Sequence, residues 1–294
     1  MKTLQTVKET GALLGLYVGL GSRAPRVYDL LSEHNHLGDK TMFLNLGYWD
    51  GPATYDDGCR RLAEVLGLAA ALGPDDEVLD CGFGFGDQDF YWAERFKPRK
   101  ITGLNITASQ VVRARARAVS LGLQDRVDLR EGSATAMPVQ DASFDKVTAL
   151  ETAFHYHTRE DFFREAFRVL RPGGRLATAD IVPKPGVNRT LKVVVGDWFG
   201  RRFWQIPSVN MYDREEYARK LAAAGFVNIT VSSIAHRVYP GFAACARERL
   251  LDPVIRERMN PLIRFFIAAS LGEMAGAGGP DYILATADKP KETA

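Results

Sequence analysis

From Glu77 onward, short runs rich in Val, Leu, Ile and Thr alternate with longer stretches in which apolar residues recur every three or four positions. The short runs are, in chain order, Glu77–Cys81, Lys100–Leu104, Val127–Arg130, Lys146–Leu150, Arg175–Ile181, Val227–Ser233 and Asp281–Ala287. Runs of this kind predict β-strands, and the intervening spacing predicts amphipathic helices. The alternation is typical of an α/β fold, so we expect a seven-stranded, mostly parallel sheet.

Polar residues mark where the predicted helices begin. Thr107 and Gln110 have the spacing of a capping box, in which two side chains bond each other's backbone N–H groups. Thr158 and Asp161 have the same spacing. The segment from Asp213 to Gly225 has the pattern of a capped helix that ends at a glycine. These signals predict helices after the second strand, after the fourth strand and before the sixth strand.

The regions outside this alternation predict a cap and two insertions. Residues 1–70 are mainly helical in pattern, interrupted by an aromatic loop at 43–50, so we expect a helical N-terminal cap ahead of a core at 71–294. Within the core, apolar segments at about 183–212 and 239–279 are candidate lids over a pocket, although ordinary packing of cap helices would produce the same pattern. The candidates for acceptor binding are the aromatic residues Trp198, Phe199, Phe203 and Trp204.

Composition and charge exclude several classes of partner. The 38 Lys and Arg residues nearly balance 36 Asp and Glu residues, and a net charge of +2 gives no field that would hold a nucleic acid. Three cysteines without a Cys-x-x-Cys pair argue against a disulfide framework and against a metal site. The N-terminus lacks a signal-peptide pattern, and the longest apolar run is far shorter than the roughly 20 residues that span a bilayer. We therefore expect a cytoplasmic protein that binds a small molecule and does not insert stably into membranes; a homodimer is compatible with the sequence.

The sequence Asp-Cys-Gly-Phe-Gly-Phe-Gly-Asp at 80–87 follows the first predicted strand and precedes a helical stretch. Glycine allows a sharp turn and a close approach of a ligand to the main chain, and the following helix offers unpaired N–H groups. A dinucleotide site would have the spacing Gly-x-Gly-x-x-Gly, whereas this loop has Gly-x-Gly-x-Gly and then Asp87, which is unfavourable beside a pyrophosphate. We therefore expect S-adenosylmethionine as the cofactor. The alternative is a purely structural turn.

Several strand ends together resemble the class I S-adenosylmethionine-dependent methyltransferases. The similar segments are the glycine loop, Leu104-Asn105, Glu131-Gly132-Ser133, Leu150-Glu151 before a histidine-containing turn, and Arg-Val-Leu-Arg-Pro-Gly-Gly at 168–174. Within that class the resemblance is to the branch that methylates sterols, quinones and natural products, and it covers roughly Leu46 to Gly225. It implies a Rossmann-like fold and methyl transfer to a small, largely apolar acceptor.

The resemblance also implies roles for individual residues. The residues expected to contact the cofactor are Asp80, Gly82, Gly84, Gly86, Asn105, Gln110, Ser133 and Tyr48. The three glycines would line its methionine part, and Asp80 would steady their loop. Asn105 at the ribose and Ser133 at the adenine stand where the family usually has acidic residues. Their hydrogen bonds to the cofactor therefore lack the added strength that a charged acceptor gives. A surface position for Gln110 and a core position for Tyr48 are the alternatives.

The chemistry is expected at the ends of the fourth and fifth strands, because the carboxyl ends of parallel strands face the ligand crevice. By resemblance to natural-product O-methyltransferases, His155 would act as general base or orient the acceptor, and Asp180 would hold either His155 or the acceptor hydroxyl. A merely structural histidine is the alternative. In C-methylation of a prenyl or polyketide chain, including diphosphates, Glu151, Glu165 or His155 would remove a proton. O-methylation is favoured; a cyclase on the same fold and a binding-only protein are further alternatives.

Overall fold

The computed structural model describes residues 10, 34–51, 53–184, 206–274 and 279–291. The four aromatic residues predicted for acceptor binding, Trp198, Phe199, Phe203 and Trp204, lie outside these ranges. No helix within the described ranges is both long enough and apolar enough to cross a membrane.

Seven strands and eight α-helices make up the described part of the chain. The strands are β1 Glu77–Cys81, β2 Lys100–Asn105, β3 Val127–Glu131, β4 Phe144–Leu150, β5 Leu170–Val182, β6 Val227–Ser233 and β7 Asp281–Asp288. The helices are α1 Tyr55–Ala69, α2 Asp87–Arg95, α3 Ala108–Ser120, α4 Arg159–Val169, α5 Arg214–Ala223, α6 Ala235–Arg249, α7 Pro253–Arg258 and α8 Pro261–Met274. Every predicted strand is present. Strand β5 begins at Leu170 rather than at Arg175, because Leu170 already pairs with Phe144 of β4.

The strands form one sheet in the order β3-β2-β1-β4-β5-β7-β6. Strands β1 to β5 pair in parallel, whereas β7 runs antiparallel to both of its neighbours, β5 and β6. The chain builds outward from β1 to β3 and then returns to the other side of β1 with β4. Ligands of open α/β sheets bind at the carboxyl ends of the strands beside such a reversal. The predicted seven-stranded, mostly parallel sheet is confirmed.

Helices cover both faces of the sheet, because successive strand residues point to opposite sides. Val78 belongs to an apolar cluster with α1, α2, α3 and α6, whereas Leu79 belongs to a second cluster with α4 and α5. The boundary proposed at residue 239 falls inside α6, whose side chains Val238 and Phe242 are buried in the first cluster. This part of the second predicted insertion therefore packs as core, while Phe265 of α8 is 64% exposed.

The two predicted capping boxes differ in outcome. At the start of α4 the box forms, because Thr158 and Asp161 each accept a hydrogen bond from the other's backbone N–H group. At the start of α3 it does not form, because Gln110 Oε1 accepts a 2.8 Å bond from the side-chain amide of Asn105. The capping box predicted at Thr107 is therefore wrong, and Gln110 belongs to the end of β2 instead.

Candidate active site

The glycine loop leaves the carboxyl end of β1 and turns into α2. Gly82, Gly84 and Gly86 have φ angles of +87°, +56° and +85°, which L side chains rarely adopt. Gly86 is the N-cap of α2, so the unpaired N–H groups of the first helical turn lie beside the loop. An anionic group of a ligand, such as a carboxylate, can bind there.

The space beside each glycine differs. A Cβ atom at Gly82 would lie 2.2 Å from Thr152 Oγ1, and one at Gly86 would lie 2.7 Å from an aromatic carbon. A Cβ atom at Gly84 would meet only Leu44 Cδ1, at 3.8 Å. Gly82 and Gly86 are thus packed against protein, whereas Gly84 is the position where a ligand can approach the main chain.

Two buried carboxyl groups lie next to the glycine loop. Asp80 accepts hydrogen bonds from Thr148 Oγ1 (2.8 Å) and from Gln88 Nε2 (3.1 Å), and both Asp80 and Asp89 are fully buried. Burial raises the pKa of Asp80 to about 6. Burial and the neighbouring charge of Asp80 raise the pKa of Asp89 well above its ordinary value. Asp80 therefore ties β1 to α2 through Gln88.

An ion pair neutralises Asp87, the residue that makes the loop unfavourable for a pyrophosphate. Arg117 of α3 donates from Nη1 to Asp87 Oδ2 at 2.6 Å and from Nη2 to Oδ1 at 2.7 Å. The same guanidinium donates to the carbonyl of Phe85 at 2.7 Å. Arg117 therefore braces the glycine loop against α3.

Asn105 and Gln110 form an amide pair at the end of β2. Asn105 Nδ2 donates to Gln110 Oε1 at 2.8 Å and to the carbonyl of Gly84 at 3.4 Å, which leaves Oδ1 as the atom that can accept from a ligand hydroxyl. Gln110 is 2% exposed, and its Nε2 has no hydrogen-bond partner among the described residues. An unsatisfied buried donor is costly, so a ligand that accepts from it is favoured. The pair therefore fits the adenosine part of S-adenosylmethionine.

Ser133, which was expected at the adenine, makes contacts within its own turn. Its Oγ lies 2.9 Å from Thr135 Oγ1 and accepts a bond from the backbone N–H of Thr135 at 3.2 Å. The N–H of Gly132 donates to the carbonyl of Asn105, which holds this turn beside the end of β2. A contact between Ser133 and the adenine stays a prediction.

The aromatic loop at 43–50 lies across the glycine loop. Its Leu44 faces Gly84, and the N–H of Leu46 donates to Glu151 Oε1 at 2.8 Å. The indole of Trp49 donates to the Leu46 carbonyl at 2.9 Å and packs against glycines of α1 and α6. Tyr48 is half-buried between these anchored neighbours, and its contact with the cofactor stays a prediction.

Glu151 joins the aromatic loop to the sheet directly after β4. Its Oε1 accepts bonds from Leu46 N–H and from the hydroxyl of Tyr282 in β7, the latter at 2.5 Å. Burial raises the pKa of Glu151 to about 7, although both donors favour its charged form; the charge of Asp180 raises the pKa further. Glu151 therefore changes its charge near neutral pH at the point where the aromatic loop, β4 and β7 meet.

Glu151→Gln should remove part of the pH dependence of stability. In the unfolded chain this carboxyl ionises near its ordinary pKa of 4.5, whereas in the folded protein it ionises near 7. Stability of the wild type therefore falls as the pH rises from 4.5 to 7 and then levels off. Relative to the wild type, the variant should gain about 2.5 kcal/mol in free energy of unfolding between pH 5 and pH 8.

Urea unfolding of both proteins at pH 5 and pH 8 measures this gain. Glu131→Gln is the matched control for the loss of one carboxyl, because Glu131 is exposed at the end of β3. Parallel pH profiles for the wild type and Glu151→Gln would show that Glu151 does not titrate in this range.

His155 lies at the end of a short 3-10 turn, Ala153–His155, beyond β4. Its ring is half-buried and packs on Phe154 with 3.9 Å between ring centroids. Its N–H donates to the carbonyl of Thr152, the residue that packs on Gly82. The turn thus holds His155 on the same edge of the sheet as the glycine loop. His157 in the same segment is exposed.

The carboxylate of Asp180 binds the buried side chain of Arg159. Arg159 Nε donates to Asp180 Oδ2 at 2.8 Å, and the backbone N–H of Ile181 donates to Oδ1 at 2.9 Å. Both side chains of the ion pair are at most 1% exposed, and the guanidinium lies 5.1 Å and 5.6 Å from the ring centroids of Tyr212 and Tyr217. A buried arginine needs this carboxylate as its counterion. A contact of Asp180 with His155 or with the acceptor hydroxyl stays a prediction.

Sequence reasoning missed Arg159, Asn210 and Tyr282. Arg159 is the first residue of α4, and the helix dipole disfavours a cation at a helix N-terminus. A cation at this position therefore indicates a nearby carboxylate, and this was the available signal in the sequence. The other two have no local signal, because their partners are distant in sequence. Glu165, a carboxyl considered for C-methylation, accepts from Met137 N–H and pairs with Arg168. Among the described residues, no group of three His, Cys, Asp or Glu side chains could hold a metal ion.

Comparison with known proteins identifies the class of this site. Residues 79–178 match the family described as "Methyltransferase domain". The chain is 38% identical to erythromycin 3''-O-methyltransferase of Saccharopolyspora erythraea over 92% of this chain and 90% of the relative. It is 32% identical to 27-O-demethylrifamycin SV methyltransferase of Amycolatopsis mediterranei over 84% of this chain and 90% of the relative.

A solved structure shares the fold. Geranyl diphosphate C-methyltransferase from Streptomyces coelicolor A3(2), in complex with Mg²⁺, geranyl diphosphate and S-adenosyl-L-homocysteine, superposes with a TM-score of 0.68 at 20% identity, covering 92% of this chain and 98% of that chain. The predicted cofactor, S-adenosylmethionine, and the predicted transferase activity are confirmed. The chain belongs to the class I S-adenosylmethionine-dependent methyltransferases, in the branch that acts on small natural products.

Proposed function

We propose that this enzyme methylates a hydroxyl group on a natural product comparable to erythromycin or rifamycin SV. The names of the two similar enzymes place the methyl group on oxygen in both cases. The observation that carries the proposal is the position of His155, half-buried one turn beyond β4 and on the segment that packs on the glycine loop. A hydroxyl loses its proton when it is methylated, and an imidazole at this edge can accept that proton.

In this mechanism most of the rate enhancement comes from alignment. S-adenosylmethionine supplies a methyl group on a positively charged sulfur. The N-terminus of α2, the open main chain at Gly84 and the Asn105–Gln110 amide pair bind and orient the cofactor, and the aromatic loop excludes water. Such positioning supplies about 7–11 kcal/mol when the reacting atoms are near attack geometry. His155 then accepts the hydroxyl proton at one ring nitrogen.

Glu151 is the observation that favours a second candidate, C-methylation. It is a carboxyl with a pKa of about 7 beside the aromatic rings of β7 and α6, and such a group can remove a proton from a carbocation. In the O-methylation proposal Glu151 instead anchors the aromatic loop through Leu46, because both of its donors converge on one oxygen. Loss of activity in Glu151→Gln but not in His155→Gln would favour C-methylation.

His155→Gln and His155→Ala should each lower kcat/KM for methyl transfer by about 10²-fold, the low end of what a general base contributes. The assay follows transfer of labelled methyl from S-adenosylmethionine to a panel of hydroxylated macrocycles and glycosides, and NMR of the product identifies the methylated atom. The affinity for S-adenosylhomocysteine, measured by calorimetry, should stay within about twofold of wild type, since His155 lies on the acceptor side.

His157→Gln is the matched control, because His157 is exposed two residues away and should be dispensable. Turnover within about threefold of wild type in both His155 variants would rule out a general base at this position. A rearranged product without an added methyl group would favour the cyclase. We further propose the cytoplasm as the compartment, because all three cysteines are free thiols.

A further inference from the structure

Asn210 contacts the main chain on both sides of His155. Its Nδ2 donates to the carbonyl of Phe154 at 3.1 Å and to the carbonyl of Tyr156 at 2.8 Å. Its Oδ1 accepts from the backbone N–H of Arg159 at 3.1 Å. Asn210 is 1% exposed. Both hydrogens and the oxygen of its buried side-chain amide bond to the main chain between residues 154 and 159.

The main chain of Asn210 is fixed as firmly as its side chain. Its carbonyl accepts from Arg159 Nη1, and its N–H donates to the carbonyl of Pro207. Arg159 is itself bound to Asp180 at the end of β5 and donates to the carbonyl of Ile181. A continuous set of buried bonds therefore runs from β5 through Arg159 and Asn210 to the turn that carries His155.

The turn has a second support that does not involve Asn210. The hydroxyl of Tyr156 donates to the carbonyl of Cys81 at 2.8 Å, and the N–H of His155 donates to the Thr152 carbonyl. The turn can therefore stay folded without the Asn210 amide. What Asn210 adds is the orientation of the peptide plane between Phe154 and His155 and of the plane that follows Tyr156. The first of these planes helps to set the direction in which the imidazole leaves the main chain.

We infer that Asn210 is a positioning residue for methyl transfer, which aims the His155 imidazole at the acceptor hydroxyl. The inference rests on the proposed function of His155. Because general-base catalysis requires a donor–acceptor distance of about 2.6–3.2 Å, a small rotation of the turn is enough to lose it. A displacement of about 1 Å can lower a rate by 10²-fold.

A double-mutant cycle between Asn210 and His155 tests this inference. Asn210→Ala should lower kcat about 10- to 10²-fold and leave the affinity for S-adenosylhomocysteine within about twofold. In the His155→Gln background the same substitution should lower kcat less than about twofold further, because the group that Asn210 positions is gone. A purely structural role would lower kcat by the same factor in both backgrounds.

Asn260→Ala is the matched control for loss of a buried asparagine. Asn260 is 3% exposed and accepts from the N–H of Leu262 at the start of α8. Its replacement should lower the melting temperature, and any change in kcat should be the same factor in the wild-type and His155→Gln backgrounds. Asn210→Asp supports the same cycle if Asn210→Ala does not fold, because it keeps the acceptor for Arg159 and removes both donors to the His155 turn.

The outcomes separate this inference from the proposed function. Equal factors for Asn210→Ala or Asn210→Asp in the two backgrounds, with His155→Gln impaired, would overturn the positioning role and keep the general base. Full activity of His155→Gln would overturn the proposed function and, with it, this inference. An imidazole ¹⁵N spectrum in which the His155 signals shift in the Asn210 variants but not in Asn260→Ala supports the positioning role; unchanged signals contradict it.

Discussion

Gly82→Ala should lower kcat/KM for methyl transfer by more than about 10³-fold, and the affinity for the cofactor should fall with it. At Gly82 the φ angle is +87°, and a Cβ atom would lie 2.2 Å from Thr152 Oγ1. A left-handed backbone alone costs an L residue about 1–2 kcal/mol, and this overlap requires a shift of the loop in addition. Such a shift is resisted, because the N–H of Gly82 donates to the carbonyl of Leu104 in β2 at 2.7 Å.

Gly122→Ala separates strain from steric overlap. Gly122 also has a positive φ, +67°, but a Cβ atom there would meet nothing within 4 Å, and the residue lies in an exposed turn after α3. This control should lose about 1 kcal/mol of stability and keep the wild-type affinity for S-adenosylhomocysteine. Calorimetry measures the affinity, and circular dichroism checks the fold. A Gly82→Ala protein that binds within tenfold of wild type would show that Thr152 yields to the new methyl group.

Asp180→Asn and Arg159→Met should each lower the free energy of unfolding by about 3–5 kcal/mol, because each leaves its partner buried without a counterion. The exposed fraction is 1% for Arg159 and 0% for Asp180. The double variant Arg159→Met/Asp180→Leu should recover a large share of this loss, since apolar groups of similar volume replace buried ion pairs at little cost. Urea unfolding measures all three variants.

The exposed pair of Arg164 and Asp161 provides the comparison, with side chains 65% and 33% exposed. Arg164→Met should change stability by no more than about 1 kcal/mol, as is usual for surface ion pairs. A cost below about 1 kcal/mol for Asp180→Asn would mean that water reaches the Arg159 guanidinium. A cost this low would also favour Asp180 as a partner of the acceptor hydroxyl.

The strands could be predicted from the sequence because their signals lie in neighbouring residues of the chain. Runs such as Glu77–Cys81 and Val227–Ser233 combine β-forming residues with adjacent turn signals, and the structure has the same bounds for both. The glycine loop was predictable for the same reason, because its turn, the helix after it and the strand before it are consecutive in the chain.

Contacts between distant segments could not be predicted in this way. Leu46 and Glu151 are 105 positions apart, and Glu151 and Tyr282 are 131 positions apart, so no periodicity in the chain relates them. Gln110 shows the limit of local signals, because its spacing from Thr107 suits a cap while Asn105 offers a competing partner. Asp180 was placed correctly at its strand end, but its ion pair with Arg159 was missed, because burial of Arg159 is a tertiary property.

The strand order has a consequence for how the molecule assembles. Strand β7 lies between β5 and β6, so β6 bonds to the sheet through β7. During synthesis β5 and β6 are both made well before β7, their common neighbour. Until β7 is made, the backbone N–H and C=O groups that each strand will pair with β7 have no partner in that strand. Damage to β7 would therefore detach two strands rather than one, and the Tyr282 hydroxyl that bonds Glu151 would be lost with them.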